Sequence, residues 1–508
     1  MGPHHHHHHL ESTSLYKKAG SAMEATPTPA DLFSEDYLVD TLDGLTVDDQ
    51  QAVLASLSFS KFLKHAKVRD WCAQAKIQPS MPALRMAYNY FLFSKVGEFI
   101  GSEDVCNFFV DRVFGGVRLL DVASVYAACS QMNAHQRHHI CCLVERATSS
   151  QSLNPVWDAL RDGIISSSKF HWAVKQQNTS KKIFSPWPIT NNHFVAGPLA
   201  FGLRCEEVVK TLLATLLHPD ETNCLDYGFM QSPQNGIFGV SLDFAANVKT
   251  DTEGRLQFDP NCKVYEIKCR FKYTFAKMEC DPIYAAYQRL YEAPGKLALK
   301  DFFYSISKPA VEYVGLGKLP SESDYLVAYD QEWEACPRKK RKLTPLHNLI
   351  RECILHNSTT ESDVYVLTDP QDTRGQISIK ARFKANLFVN VRHSYFYQVL
   401  LQSSIVEEYI GLDSGIPRLG SPKYYIATGF FRKRGYQDPV NCTIGGDALD
   451  PHVEIPTLLI VTPVYFPRGA KHRLLHQAAN FWSRSAKDTF PYIKWDFSYL
   501  SANVPHSP

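Results

Sequence analysis

What the chain lacks narrows the field first. No apolar run approaches the roughly 20 residues that a membrane helix needs; Thr457-Leu-Leu-Ile-Val461 is short and is stopped by Pro463. No charge sign dominates, because 54 Lys and Arg stand against 52 Asp and Glu. Any affinity for a polyanion must therefore come from local patches rather than a global field. The 13 cysteines form no Cys-x-x-Cys pair. No secretory signal follows Met23, where Glu24 to Asp36 is acidic and proline-bearing. Together these features point to reduced thiols in cytosol or nucleus, with no membrane. The cluster His135, His138, His139, Cys141 and Cys142 has no second ligand pair, so it reads as a helix face rather than a zinc site.

Residues 1–22 read as an expression leader, a hexahistidine run (His4 to His9) followed by a cloning linker, and are set aside. Losing Lys17, Lys18 and Glu11 with it leaves the chain close to neutral. A composition 44% hydrophobic and 21% charged is that of an ordinary globular protein. The length is enough for two or more domains.

Residues 23–155 read as a helical N-terminal lobe, with weak alternation and sparse glycine, closed by a polar linker from Ala147 to Pro155. From 156 to 508 the pattern becomes α/β. Strand-like runs at Gly236–Phe244, Lys263–Phe271, Lys423–Phe431 and Pro456–Phe466 alternate with helical segments at about 199–217, 281–303 and 393–410. Region 308–362 reads as an insertion. It carries Pro337-Arg-Lys-Lys-Arg-Lys342, whose consecutive cations after a proline suit a nuclear-import signal better than a solvated loop.

Strand phase selects the chemistry. Residues two apart share a face, so Val264, Glu266, Lys268 and Arg270 fall on one side of their strand. Tyr265, Ile267 and Cys269 take the other and suit a core. In the preceding run Ser241 and Asp243 oppose Val240, Leu242 and Phe244. If the two strands pair, an Asp, a Glu, a Lys, an Arg and a Ser share one polar face above a hydrophobic floor. Hard divalent cations prefer carboxylate oxygens, and phosphodiester cleavage uses such a cation to activate water. Asp243 and Glu266 supply the oxygens, Lys268 a cation for the attacking water or the oxyanion, and Ser241 with Arg270 a grip on phosphate. A Glu-x-Lys triplet alone recurs by chance and would otherwise be a surface salt bridge. A third carboxylate adds weight. On the amphipathic helix of Ala200–Leu217, Glu206 flanks the apolar face of Phe201, Cys205, Val208, Leu212 and Leu216, whereas Glu207 points to solvent.

These residues resemble the PD-(D/E)xK nuclease superfamily: the helical stretch Gly202-Leu-Arg-Cys-Glu206, the strand ending Ser241-Leu-Asp243, and Glu266-Ile-Lys268 match its three core motifs in order, with Leu242 where a proline is common. The resemblance implies a restriction-endonuclease-like core, a central mixed sheet flanked by helices, with Glu206, Asp243 and Glu266 as metal ligands. Leu160–Lys169 is similar to the segment of phage lambda-type exonucleases that holds a 5′ phosphate, which implies that role for Arg161, Ser166 and Ser168. Without that resemblance the segment is a serine-rich helix cap. Tyr395-Phe-Tyr-Gln398 is similar to the glutamine motif of the same family and implies Gln398 as a supporting catalytic residue.

The chain from Met23 onward resembles the herpesvirus alkaline nucleases, in their gammaherpesvirus branch. That implies a Mg²⁺-dependent enzyme (Mn²⁺ substituting) that degrades double-stranded DNA from its ends in the 5′-to-3′ direction during viral genome processing. In that branch it also implies endonucleolytic cleavage of host mRNA in host shut-off, by a monomer found in host nucleus and cytoplasm. The competing readings are a catalytically weak nucleic-acid-binding factor on the same scaffold, and an endonuclease directed at RNA alone.

Overall fold

The structure is a computed structural model that describes residues 54–500 except 99, 152–153, 155, 176–181, 186–196, 310, 315–319, 330–343, 414–419 and 499. The basic run 337–342, residues 1–53 and parts of the expected insertion lie outside the described residues.

Seven strands make the central sheet: β1 (Asn223–Cys224), β2 (Phe244–Thr250), β3 (Leu256–Cys269), β4 (Ser362–Leu367), β5 (Ile379–Ala385), β6 (Lys423–Arg432) and β7 (Ile455–Val464). Their order across the sheet is β1-β2-β3-β6-β7-β4-β5. Only β3 and β6 run parallel, with Glu266 opposite Ile426 and Lys268 opposite Thr428; every other pair is antiparallel. The central strands read as near-continuous apolar runs because helices cover both of their faces. β7 is buried at nine of its ten positions.

Among the described residues, the helices around the sheet and the site include α1 (Met81–Val96), α2 (Ala134–Ala147), α3 (Ser167–Lys175), α4 (Gly197–Leu212), α5 (Ser394–Leu412) and α6 (Arg468–Thr489). On one sheet face α4 packs Phe201, Cys205, Val208, Val209 and Leu212 against Phe244, Tyr265 and Ile267. Each fully buried side chain of this kind is worth about 1.5–3 kcal/mol. The fit is close because position 429 is glycine: a Cβ there would meet Val209 Cγ2 at 2.7 Å. On the other face lies α5, apolar around most of its circumference and buried along most of its length. A helix apolar on all sides belongs in an interior, so its buried polar residues stand out. The N-terminal helices and the sheet share one hydrophobic core running from Leu54 to Leu500.

Two expectations change here. The run Gly236–Phe244 is not one strand. Gly239–Val240 pairs with Met230–Gln231, the chain then changes partner, and pairing with β3 begins at Phe244 opposite Tyr265. Asp243 thus precedes a strand instead of ending one. The face of Val264, Glu266 and Lys268 is not open either: α5 covers it, and Glu266 is only 8% exposed. Arg432 is buried and paired with Asp438 at 2.6 Å and Asp369 at 3.1 Å.

Candidate active site

The carboxylates meet where β2 and β3 part. Beyond the Phe244–Tyr265 pair, Asp243 Oδ2 accepts the backbone N–H of Ile267 at 2.8 Å. The Leu242 carbonyl accepts from the Gln151 side chain at 2.9 Å. Side chains thus satisfy backbone groups that a continued ladder would have used, and the gap is held open with an acid at its mouth.

Glu206 reaches this mouth from α4 and shares a side-chain hydrogen bond with Asp243. Helix phase separates it from its neighbour: the Glu206 side chain is 26% exposed and Glu207 70%. Lys210, one turn on, lies 3.9 Å from Glu206 and 3.1 Å from Glu207. From β3, Glu266 Oε1 lies 3.1 Å from Lys268 Nζ, and its Oε2 accepts from the Gln402 amide at 2.7 Å. Lys268 also donates to Gln398 Oε1 at 3.3 Å and lies 3.9 Å from the centre of the Tyr395 ring.

Crowded acids hold their protons. Burial and then the neighbouring Glu206 push the Asp243 carboxyl up to about 7, against the Ile267 N–H and Lys268. Burial and then Asp243 raise Glu266 to about 7, against Lys268 and Gln402. Burial also raises Glu206. For Lys268 burial works the other way, yet Glu266, Tyr395 and Asp243 outweigh it and hold the ammonium above its ordinary range. Three acids that repel one another in a partly dry site form a donor set that a divalent cation would relieve. Among the described residues, however, no three His, Cys, Asp or Glu side chains already stand in a ligand-ready group. Glu206 touches Asp243, while Glu266 is turned toward Lys268 and Gln402.

A second cluster adjoins the first. Ile165 bridges to Phe238, its N–H donating to the Ile237 carbonyl at 2.8 Å, which draws the segment before α3 alongside the approach to Asp243. Ser166 and Ser168 hydroxyls are 3.2 Å apart, and the buried Ser167 hydroxyl has no partner. The Arg161 guanidinium stacks 4.2 Å from the centre of the Trp157 ring, whose Nε1 donates to Ser241 Oγ at 3.1 Å. Ser241 is thus tied to the Arg161 cluster through Trp157. Burial depresses Lys169 to about 8, against Asp162 and with help from Arg161. Two largely desolvated cations beside a cluster of serine hydroxyls suit a phosphate. Arg270 stands apart from this group, 5.1 Å from the centre of the Tyr325 ring, which neighbours the Tyr395 ring at 5.0 Å.

The family model for viral alkaline exonucleases matches residues 49–500. The chain belongs to the viral alkaline exonuclease family. It is therefore a nuclease, a phosphodiester hydrolase. It is 50% identical over 482 residues to the shutoff alkaline exonuclease of Saimiriine herpesvirus 2 (strain 11), covering 94% of this chain and 100% of that protein. The crystal structure of the Shutoff and Exonuclease Protein from Kaposi's sarcoma associated herpesvirus is 96% identical with a TM-score of 0.86, covering 93% of this chain and 100% of that one. Two complexes are similar at a TM-score of 0.81: a SOX-DNA complex, 93% identical, and a KSHV SOX RNA complex, 89% identical, each covering 94% of this chain and 100% of that chain.

Within this exonuclease the structure adds residues that strand phase did not reveal. Gln402 sits one helical turn after Gln398, and that i, i+4 spacing in a buried helix was the available signal. Tyr395, Tyr325 and Lys210 complete the surroundings of Lys268, Arg270 and Glu206. Trp157 and Lys169 complete the Arg161 cluster. A concavity of 680 Å³ lies away from these groups and is lined in part by Arg204 and Lys433.

Proposed function

We propose that this exonuclease shortens double-stranded DNA from its ends in the 5′-to-3′ direction, in the processing and maturation of viral genomes. We further propose that it cuts host mRNA internally in host shut-off. The observation that carries the reading is the carboxylate junction of Glu206, Asp243 and Glu266 set beside the Arg161–Ser168 cluster. An end phosphate seated by Arg161, Ser166, Ser168 and Ser241 brings a phosphodiester to the carboxylates. The relatives described in complex with DNA and with RNA support both substrates.

Glu206, Asp243 and Glu266 would hold Mg²⁺, with Mn²⁺ as a substitute. The ion would supply an activated water and neutralise the scissile phosphate. Lys268 stays an ammonium, because Glu266 and the Tyr395 face stabilise its charge. Its part is therefore electrostatic, favouring the oxyanion that develops on phosphorus, and not that of a base. Gln398 holds that ammonium in place. Arg270 grips a neighbouring phosphate. Backbone gripping reads no base edges in a duplex, so DNA cleavage is weakly sequence-selective, whereas RNA is chosen by unpaired, accessible segments. The protein works as a monomer in host nucleus and cytoplasm, with the basic run 337–342 as the import signal.

Linear duplex DNA labelled at one 5′ or one 3′ end, and an RNA hairpin, are incubated with Mg²⁺ or with chelator. The 5′ label is expected to be released first as mononucleotide, RNA to be cut within its unpaired segment, and neither to be cut with chelator. Binding without cleavage of either substrate would favour a nuclease-scaffold binding factor. Cleavage of RNA alone would favour an RNA-directed endonuclease.

A further inference from the structure

We propose that a second, basic basin on the opposite side of α4 from the carboxylates holds the backbone phosphates of a flanking single strand. The proposal rests on nucleic acid being the substrate. Arg204 and Glu206 are two residues apart on α4, so they point about 200° apart around its axis. Glu206 meets Asp243 on one side. On the other, Arg204 lines the 680 Å³ concavity together with Lys272, Lys308, Lys433 and Arg434.

Apart from Arg204, the positive charge in this basin is unspent. The carboxylate there, Glu454, is already neutralised by Arg204 through two bonds of 2.8 and 2.7 Å. Arg434 donates to the carbonyls of Val453 at 2.6 Å and Asp450 at 2.9 Å, which fixes the guanidinium without cancelling its charge. Among the described residues, no acid pairs with Lys272, Lys308 or Lys433, and all three are exposed. Four uncompensated cations around one hollow repel one another unless an anion sits among them. A duplex needs only such charges. An unpaired strand also needs a face for its bases, and the 43% exposed ring of Phe271 forms part of the wall, fixed edge-on against Phe201 at 5.4 Å. Cationic groups with an exposed ring are the means by which proteins hold single strands without reading sequence.

The test is anisotropy of a labelled 20-nucleotide DNA single strand with the full-length protein in chelator, comparing K308E/K433E with K249E/K494E. The second pair carries the same change of charge on exposed lysines outside the basin. The basin predicts that K308E/K433E weakens binding about tenfold at low salt. It also predicts a slope of log affinity against log salt lower by about 1.4, the loss of two phosphate contacts on a single strand. Equal affinities and slopes in the two variants overturn the proposal. So does displacement of the strand from the native protein by millimolar AMP, which would make the basin a mononucleotide pocket. With Mg²⁺, K308E/K433E is expected to cleave a short blunt duplex within twofold of the native rate. A large loss there would place these lysines in the main site instead, whereas failure of the native protein to cleave at all would count against the proposed function and not the basin.

Discussion

Gln402 donates its side-chain amide to Glu266 Oε2 at 2.7 Å, from a position 136 residues away and inside a buried helix. The opposite oxygen of the same carboxylate faces Lys268 at 3.1 Å. Glu266 is thus held from both sides, and its orientation is set by α5 as much as by its own strand.

Replacing that amide tests the arrangement. A hydrogen bond to a charged group is worth about 1.5–3 kcal/mol, so Gln402→Leu is expected to lower kcat/KM by about one to two orders of magnitude. Gln402→Asn, with a shorter reach, should lose comparably. Loss of activity confined to melting, with normal kcat/KM in the folded fraction, would show that Gln402 only packs.

The paired acids give a pH signature to the metal-free protein. Asp243 and Glu266 are raised to about 7, far above the ordinary carboxyl range near 4. The folded state therefore binds their protons more tightly than the unfolded one. The stability this provides is complete below pH 4 and is lost as pH rises through about 7. In chelator, Asp243→Asn is expected to raise Tm at pH 8 and to flatten its fall between pH 5 and 7.5. A native Tm that falls no more steeply across that interval than the variant's would refute the crowding.

The same protons must leave before a cation can bind. Apparent Mg²⁺ affinity should therefore fall as pH drops from 8 to 6, and binding at pH 7 should release protons. Calorimetry in two buffers of different ionisation enthalpy measures that release. Identical heats in both buffers would contradict it.

Arg161 and Trp157 should separate end recognition from chemistry. Arg161→Ala is expected to slow cleavage of 5′-phosphorylated ends at least tenfold more than of hydroxyl ends. Trp157→Phe keeps the stacked ring but loses the bond to Ser241, so its effect should be smaller and in the same direction. Equal losses on both kinds of end would remove the phosphate from this pocket.

Much of the fold and site was legible in the sequence. Apolar runs marked β3, β6 and β7, and helix phase distinguished Glu206 from Glu207, because both signals are local. The run Gly236–Phe244 misled because alternation continues while the chain exchanges one partner strand for another. The burial of Glu266 was hidden for a different reason: its compensation comes from Gln402, and no local pattern tells a polar residue on an open face from one partnered across the core. Ser241 moved to the Arg161 cluster through Trp157, a contact spanning 84 residues.

Asp243 is expected to serve chemistry and not the fold. Cleavage of linear duplex DNA with Mg²⁺ by Asp243→Asn, measured beside its affinity for the same DNA in chelator, tests it most directly. The predicted result is turnover reduced at least a thousandfold, with affinity within about twofold of the native protein. Turnover retained at the native rate would contradict it.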